Sequence, residues 1–142
     1  MTETDDLQII SLPDGREQEL ADLWDACGLV VSYNPPLDDI AFAHEDSDIL
    51  VGILDDRLVC SVLVGHDGHR GWLYYVAVIP DQQSSGFGAR IVVAAEAWLR
   101  ARGVRKVQLM VRPTNDKVLA FYEHLGYETS PVTVTQRWLI DT

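Results

Sequence analysis

The spacing of apolar and polar positions changes several times along the chain, and each change marks an element. Leu7 to Leu12 reads as a short strand, ended by Pro13, Asp14 and Gly15. Leu20, Leu23, Trp24 and Cys27 then recur at the spacing of one helix face, and Gly28 is placed to end that helix. A loop with two prolines follows, with a weaker helix starting near Pro36. Ile49 to Leu54 and Leu58 to Gly65 read as strands joined by a tight turn at Asp55 and Asp56. Asp67-Gly68 predicts a hairpin into residues 72–79, WLYYVAVI, apolar on both faces as in a central, doubly covered strand that Pro80 stops.

The second half continues in the same way. Ile91, Ala94, Ala95 and Trp98 make a helical stripe that Gly103 can close. Val107, Leu109 and Val111 alternate with Gln108, Met110 and Arg112, which predicts a strand, and Pro113, Thr114 and Asn115 break it. Val118, Phe121, Tyr122 and Leu125 form the stripe of a last helix before Gly126. Thr129 to Ile140 reads as two short strands interrupted at Pro131. The order β-α-α-β-β-β-α-β-α-β-β predicts an α+β fold over residues 1–142 as a single domain, with a mixed sheet and helices on its faces.

Composition narrows the function. With 22 Asp and Glu against 11 Lys and Arg the net charge is −11, which repels phosphate backbones and argues against a nucleic-acid partner. The same charge suits a cationic substrate such as an amine. The two cysteines, Cys27 and Cys60, lack metal-ligand spacing and read as small buried hydrophobes of a reducing compartment, so no metal is expected. The acidic start MTETDDLQ is unlike a signal peptide, and no apolar run nears the ~20 residues of a membrane span. A cytoplasmic protein without a membrane partner is therefore expected.

The stretch QQSSGFGAR, residues 82–90, carries the candidate chemistry. Gly86 and Gly88 stand at the mouth of a helix, where glycine costs about 1 kcal/mol against alanine further in. The first amides of a helix lack intrahelical partners and sit at the positive end of its dipole, so such a mouth accepts phosphate, and glycines let it approach the backbone. The Rossmann pattern fails because Ile91 stands where its third glycine belongs, and no GK[ST] follows for a P-loop.

The wider pattern, Gln83-x-x-Gly86-x-Gly88 after VAVIP (residues 76–80), then Asn115 after the next strand and FYEHLGYE (121–128), resembles the GNAT superfamily of N-acetyltransferases. The resemblance covers nearly the whole chain and is greatest to small bacterial members of the YpeA type. It implies a mostly antiparallel sheet of about seven strands with helices on both faces. It also implies acetyl-CoA as co-substrate, with its pyrophosphate wrapped by Gln83, Ser84, Ser85, Gly86, Phe87, Gly88 and Ala89. Val76, Ala77 and Val78 would carry the pantetheine arm through backbone bonds, Asn115 would touch that arm, and Tyr122 would protonate the departing thiolate. Asn115 also reads as a helix N-cap and Tyr122 as a core residue of its stripe. Two departures stand out. Gln83 replaces the Arg common at that position, and Met110 occupies the place of the catalytic Glu of the alanine acetyltransferases, so no general base carries over.

The expected activity is acetyl transfer to a primary amine, of a small molecule or a peptide, by direct attack in a ternary complex. The acceptor would meet a loop holding Tyr33, Asn34, Asp38 and Asp39, while His66 and His69 flank the hairpin turn. Tyr75 and His69 are cleft candidates for the base. A second class, a non-catalytic acyl-CoA-binding sensor or interaction module on the same fold, gains from Met110 and loses from Tyr122. A third is another α/β nucleotide binder, which would take ATP or NAD and not CoA. A homodimer stays open.

Overall fold

A computed structural model describes residues 6–30, 35–42 and 46–140. The chain divides into two compact units, Met1–Leu109 and Met110–Thr142.

The first unit is built on one sheet in the order β1 (Gln8–Ser11), β2 (Ser47–Leu54), β3 (Arg57–His66), β4 (Gly71–Val78) and β5 (Val107–Gln108). Neighbours are antiparallel except β4 and β5, which run parallel. The turn at Asp55 and Asp56 places both residues at positive φ, 50° and 64°, the conformation that matches the twist of a two-residue hairpin. In the next hairpin the Asp67 carboxylate accepts from the His69 and Arg70 amides, at 2.9 and 2.8 Å, which fixes the turn locally.

Helices cover both faces. Helix α1 (Glu17–Ala26) and the short α2 (Pro36–Phe42) bury Leu20, Leu23, Trp24 and Ile40 against Ile49, Val51, Leu58 and Ala77. Helix α3 (Phe87–Ala101) buries Phe87, Ile91, Val92, Ala95 and Leu99, a stripe at i, i+4, i+5, i+8 and i+12 that packs on β2, β3 and β4. At Gly71 the approach is so close that a Cβ would lie 2.6 Å from Leu99 Cδ1.

The second unit holds α4 (Asp116–His124). Asn115 caps it, its side-chain oxygen accepting from the Val118 amide at 3.3 Å. Gly126, at φ 95°, reverses the chain after it, and the Tyr127 amide returns to the Tyr122 carbonyl at 2.9 Å.

Among the described residues the sheet has five strands where the sequence pattern implies seven. The alternation over Val107, Leu109 and Val111 becomes strand only at Val107 and Gln108, and residues 129–140 form none. Alternation marks a chain able to form a strand, but a strand exists only where its N–H and C=O groups meet a neighbour. Pro131 withholds one donor, and the tail leaves Val132, Val134 and Leu139 70, 60 and 91% exposed.

Candidate active site

Strand β4 changes shape just before the glycine loop. Ser61 pairs with Ala77 and Leu63 with Tyr74, so Tyr75 and Val76 together face the single residue Val62, a β-bulge. Tyr75 carries the kink at φ 54°, which is rare for a bulky non-glycine residue. Beyond the bulge the Ile79 amide bonds the Val59 carbonyl at 2.8 Å. By alternation Ala77 turns its backbone groups to β3, and Val76 and Val78 turn theirs to the opposite edge. On that edge β5 pairs only with Gly71 and Trp72. Two side chains reach the Val78 carbonyl, Gln83 Nε2 at 3.0 Å and the Cys27 thiol at 3.2 Å.

Pro80–Gln82 makes one 3-10 turn, and α3 begins after Gly86. Gly86 is the N-cap at φ 84°, and nothing lies within 4 Å of where its Cβ would be. The fold therefore asks for glycine here because of backbone conformation, and the space beside it is open. The first intrahelical bond runs from Arg90 N to Gly86 O at 3.3 Å, and no side chain caps the end. The amides of Gly86, Phe87, Gly88 and Ala89 thus have no acceptor within the helix. Phe87 is buried and anchors this turn, while Ser84 and Ser85 are exposed, with Ser85 Oγ bonded to the Gln82 carbonyl. Gln83 is a strut, its side chain tying the loop to the end of β4.

In the second unit Tyr122 is buried, with Phe121 and Tyr127 edge-on at 4.9 and 5.4 Å between ring centroids. Burial pushes its phenol up to about 12. Met110 is 53% exposed.

The family model for the acetyltransferase (GNAT) family matches residues 13–127. The chain belongs to the GNAT acetyltransferase family. An acetyltransferase of Yersinia pestis (strain Pestoides F) is 38% identical over 125 residues, 87% of this chain and 89% of that protein. One of Pectobacterium atrosepticum is 39% identical over 121 residues, 84% and 86% of the two chains. Among solved structures, the aminoglycoside N-acetyltransferase AAC(6')-Iy in complex with CoA superposes with a TM-score of 0.81 at 12% identity over 99% of both chains. A Trypanosoma brucei acetyltransferase gives 0.73 at 22% identity, over 94% of this chain and 100% of its own. These last two likenesses establish the fold.

This GNAT protein is thus an acyltransferase that moves acetyl groups. In its first unit the structure brings together Val76 to Val78, Gln83 and the loop to Ala89; Asn115 and Tyr122 belong to the second unit. Tyr33 and Asn34 lie outside the described residues, and Asp38 and Asp39 sit in the first turn of α2. His69 is on the hairpin, where its amide is held by Asp67. The Tyr75 phenol is already engaged, donating to Asp39 Oδ2 at 2.5 Å. Two partners of the site were not legible in the sequence. Cys27 lies at the end of a helix stripe and gives no hint that its thiol reaches Val78. Ser61 lies inside a strand pattern that hides its contacts with Trp24 and Tyr75. Among the described residues no helix is long and apolar enough to cross a membrane, and no group of three or more His, Cys, Asp or Glu is placed to hold a metal ion.

Proposed function

We propose that the chain takes acetyl-CoA as its donor and transfers the acetyl group to a primary amine by direct attack. The observation that carries this is the run of four amides, Gly86 to Ala89, at the α3 mouth that left-handed Gly86 opens. Four N–H groups at the positive end of a 15-residue helix suit a pyrophosphate. The outward backbone groups of Val76 and the Val78 amide, beside the Val78 carbonyl that Gln83 and Cys27 already bond, would hold the pantetheine arm, and Asn115 would touch it while capping α4. The amine nitrogen attacks the thioester carbon, the C–S bond breaks, and Tyr122 supplies a proton to the leaving sulfur, to be replaced from solvent. The strand and loop contribute mainly by positioning. With Met110 in place of a carboxylate, the ammonium gives up its proton to water or to a cleft group. The relatives named acetyltransferase and the CoA complex of AAC(6')-Iy support the donor. Acceptors in that fold include aminoglycosides, which are polyamines, and the −11 charge of this chain favours an acceptor of that sign.

Gly88→Val tests the reading. A branched side chain in the first helical turn would crowd the amides, and titration calorimetry is expected to show CoA affinity down by more than tenfold, about 1.4 kcal/mol. Wild-type protein giving no heat with CoA, or a folded Gly88→Val variant binding as wild type, overturns it. A panel of amines read by CoA release from acetyl-CoA then identifies the acceptor class.

A further inference from the structure

Tyr75 is the residue in the first unit whose conformation most needs explaining. A large aromatic side chain at φ 54° costs about 1–3 kcal/mol, and such a residue persists only where its surroundings fix it. Three contacts do so here. The ring lies flat on Trp24, with centroids 3.7 Å apart and planes 7° from parallel. The Tyr75 carbonyl accepts from Ser61 Oγ at 2.9 Å, and that hydroxyl accepts in turn from Trp24 Nε1 at 3.0 Å. The phenol donates to Asp39 on α2. Trp24 and Ser61 are both 0% exposed, so neither bond competes with water. Serine, tryptophan and tyrosine form a closed brace: one indole holds the ring by stacking and holds the backbone through Ser61.

The brace is more than the sheet requires. A plain strand at this position would keep the ladder to β3 intact, with no strained residue and no buried hydroxyl to satisfy. What the bulge alters is the path of β4 one residue before Val76, and so which way the Val76 and Val78 backbone groups present themselves. We propose that Tyr75 is a positioning residue for acetyl transfer, holding the β4 bulge in the shape that offers Val76 and Val78 to the pantetheine arm. The proposal rests on the acetyl-CoA reading above. The loop from Ser84 to Ala89 would hold the pyrophosphate independently, so the two halves of the donor depend on different residues.

That separation supplies the test. CoA carries both pyrophosphate and arm; ADP carries the pyrophosphate without the arm. Affinities are measured by titration calorimetry for CoA and by ligand-observed NMR for ADP, on variants whose folding is verified by circular dichroism. Tyr75→Ala should bind CoA about tenfold more weakly and ADP within about twofold of wild type. Tyr75→Phe keeps the stack and the carbonyl clamp and should restore CoA affinity to within about threefold. Ser61→Ala leaves both rings in place and should show the same CoA-only loss on a smaller scale, which keeps the proposal testable if Tyr75→Ala does not fold. Unchanged CoA affinity in folded Tyr75→Ala and Ser61→Ala, equal losses for CoA and ADP, or a Phe variant as weak as the Ala variant each overturn the proposal while leaving the acetyl-CoA reading standing. Failure of the wild type to bind either ligand removes both.

Discussion

At the scale of single residues, Tyr122 shows how burial changes a role. Its phenol is pushed up to about 12, so it stays protonated throughout the physiological range. The same shift makes it a reluctant acid, because a free thiol ionises near 8.5 and complete transfer to a thiolate runs uphill by about 3.5 pKa units. In the reaction proposed above the phenol would share its proton with the departing sulfur, as a hydrogen bond that strengthens while charge develops. Tyr122→Phe should lower kcat by about 10², the low end for a general acid, with CoA affinity and melting temperature little changed. Turnover within about twofold of wild type, where chemistry limits the rate, would make Tyr122 a packing residue only. The sign of the shift also sets a pH limit. The neutral phenol is favoured by the fold, so its contribution to stability is complete below pH ~10 and fades as the pH rises towards 12. Gly86 and the Asn115 cap were legible in the sequence because each is a local choice at a helix end. Tyr75 was not, since nothing in WLYYVAVI marks which residue will turn left-handed; that depends on Trp24 and Ser61, far away in the chain.

At the scale of elements, the helices and the long strands match their sequence signals to within a few residues, because one stripe or one alternation suffices to define them. The predicted strand over Val107, Leu109 and Val111 is cut short to Val107 and Gln108, and the two in the tail are absent, where existence depends on a partner rather than on pattern. The contact between α3 and β4 gives a direct check on packing. Gly71 faces Leu99, which is buried, so Gly71→Ala must displace the leucine side chain. Overpacking of this kind costs about 1–3 kcal/mol. Chemical denaturation should show that loss, and the double change Gly71→Ala with Leu99→Ala should be less destabilised than the sum of the two single changes. Additive losses would mean that the helix and strand do not press on each other at this point.

At the scale of the whole molecule, charge is unevenly spread. Arg100, Arg102, Arg105 and Lys106 supply four of the 11 cations within seven residues, at and after the last turn of α3. Arg100, in the last turn, lies about 20 Å along that helix from Gly86, at 1.5 Å per residue, so it does little for an anion at the mouth. Arg102 is partly occupied there, its guanidinium 3.5 Å over the Trp98 ring. The phosphate-rich donor proposed above would thus meet a net −11 surface, with Arg90 the cation in the first turn of α3, whereas a cationic amine would meet attraction. The two substrates should respond to salt in opposite senses. Raising ionic strength from 10 mM to 500 mM should lower kcat/KM for a polyamine acceptor several-fold, and should leave CoA affinity level or raise it, as screening shortens to a few ångströms. A polyamine rate indifferent to salt would show that the acidity serves solubility alone.

Cys60 lies in the middle of β3, 0% exposed, across from Gly52, where a Cβ would collide with its sulfur. Burial also pushes its thiol up to about 11, so little of it is thiolate even when reached. Cys27 is only half-buried. Under a large excess of a colorimetric disulfide reagent the native protein should therefore release one equivalent of chromophore at first and a second one slowly. The slow phase would report the opening of the central strands, so the rate at which the second thiol appears becomes a clock for global unfolding in plain buffer, without denaturant and without any assay of catalysis.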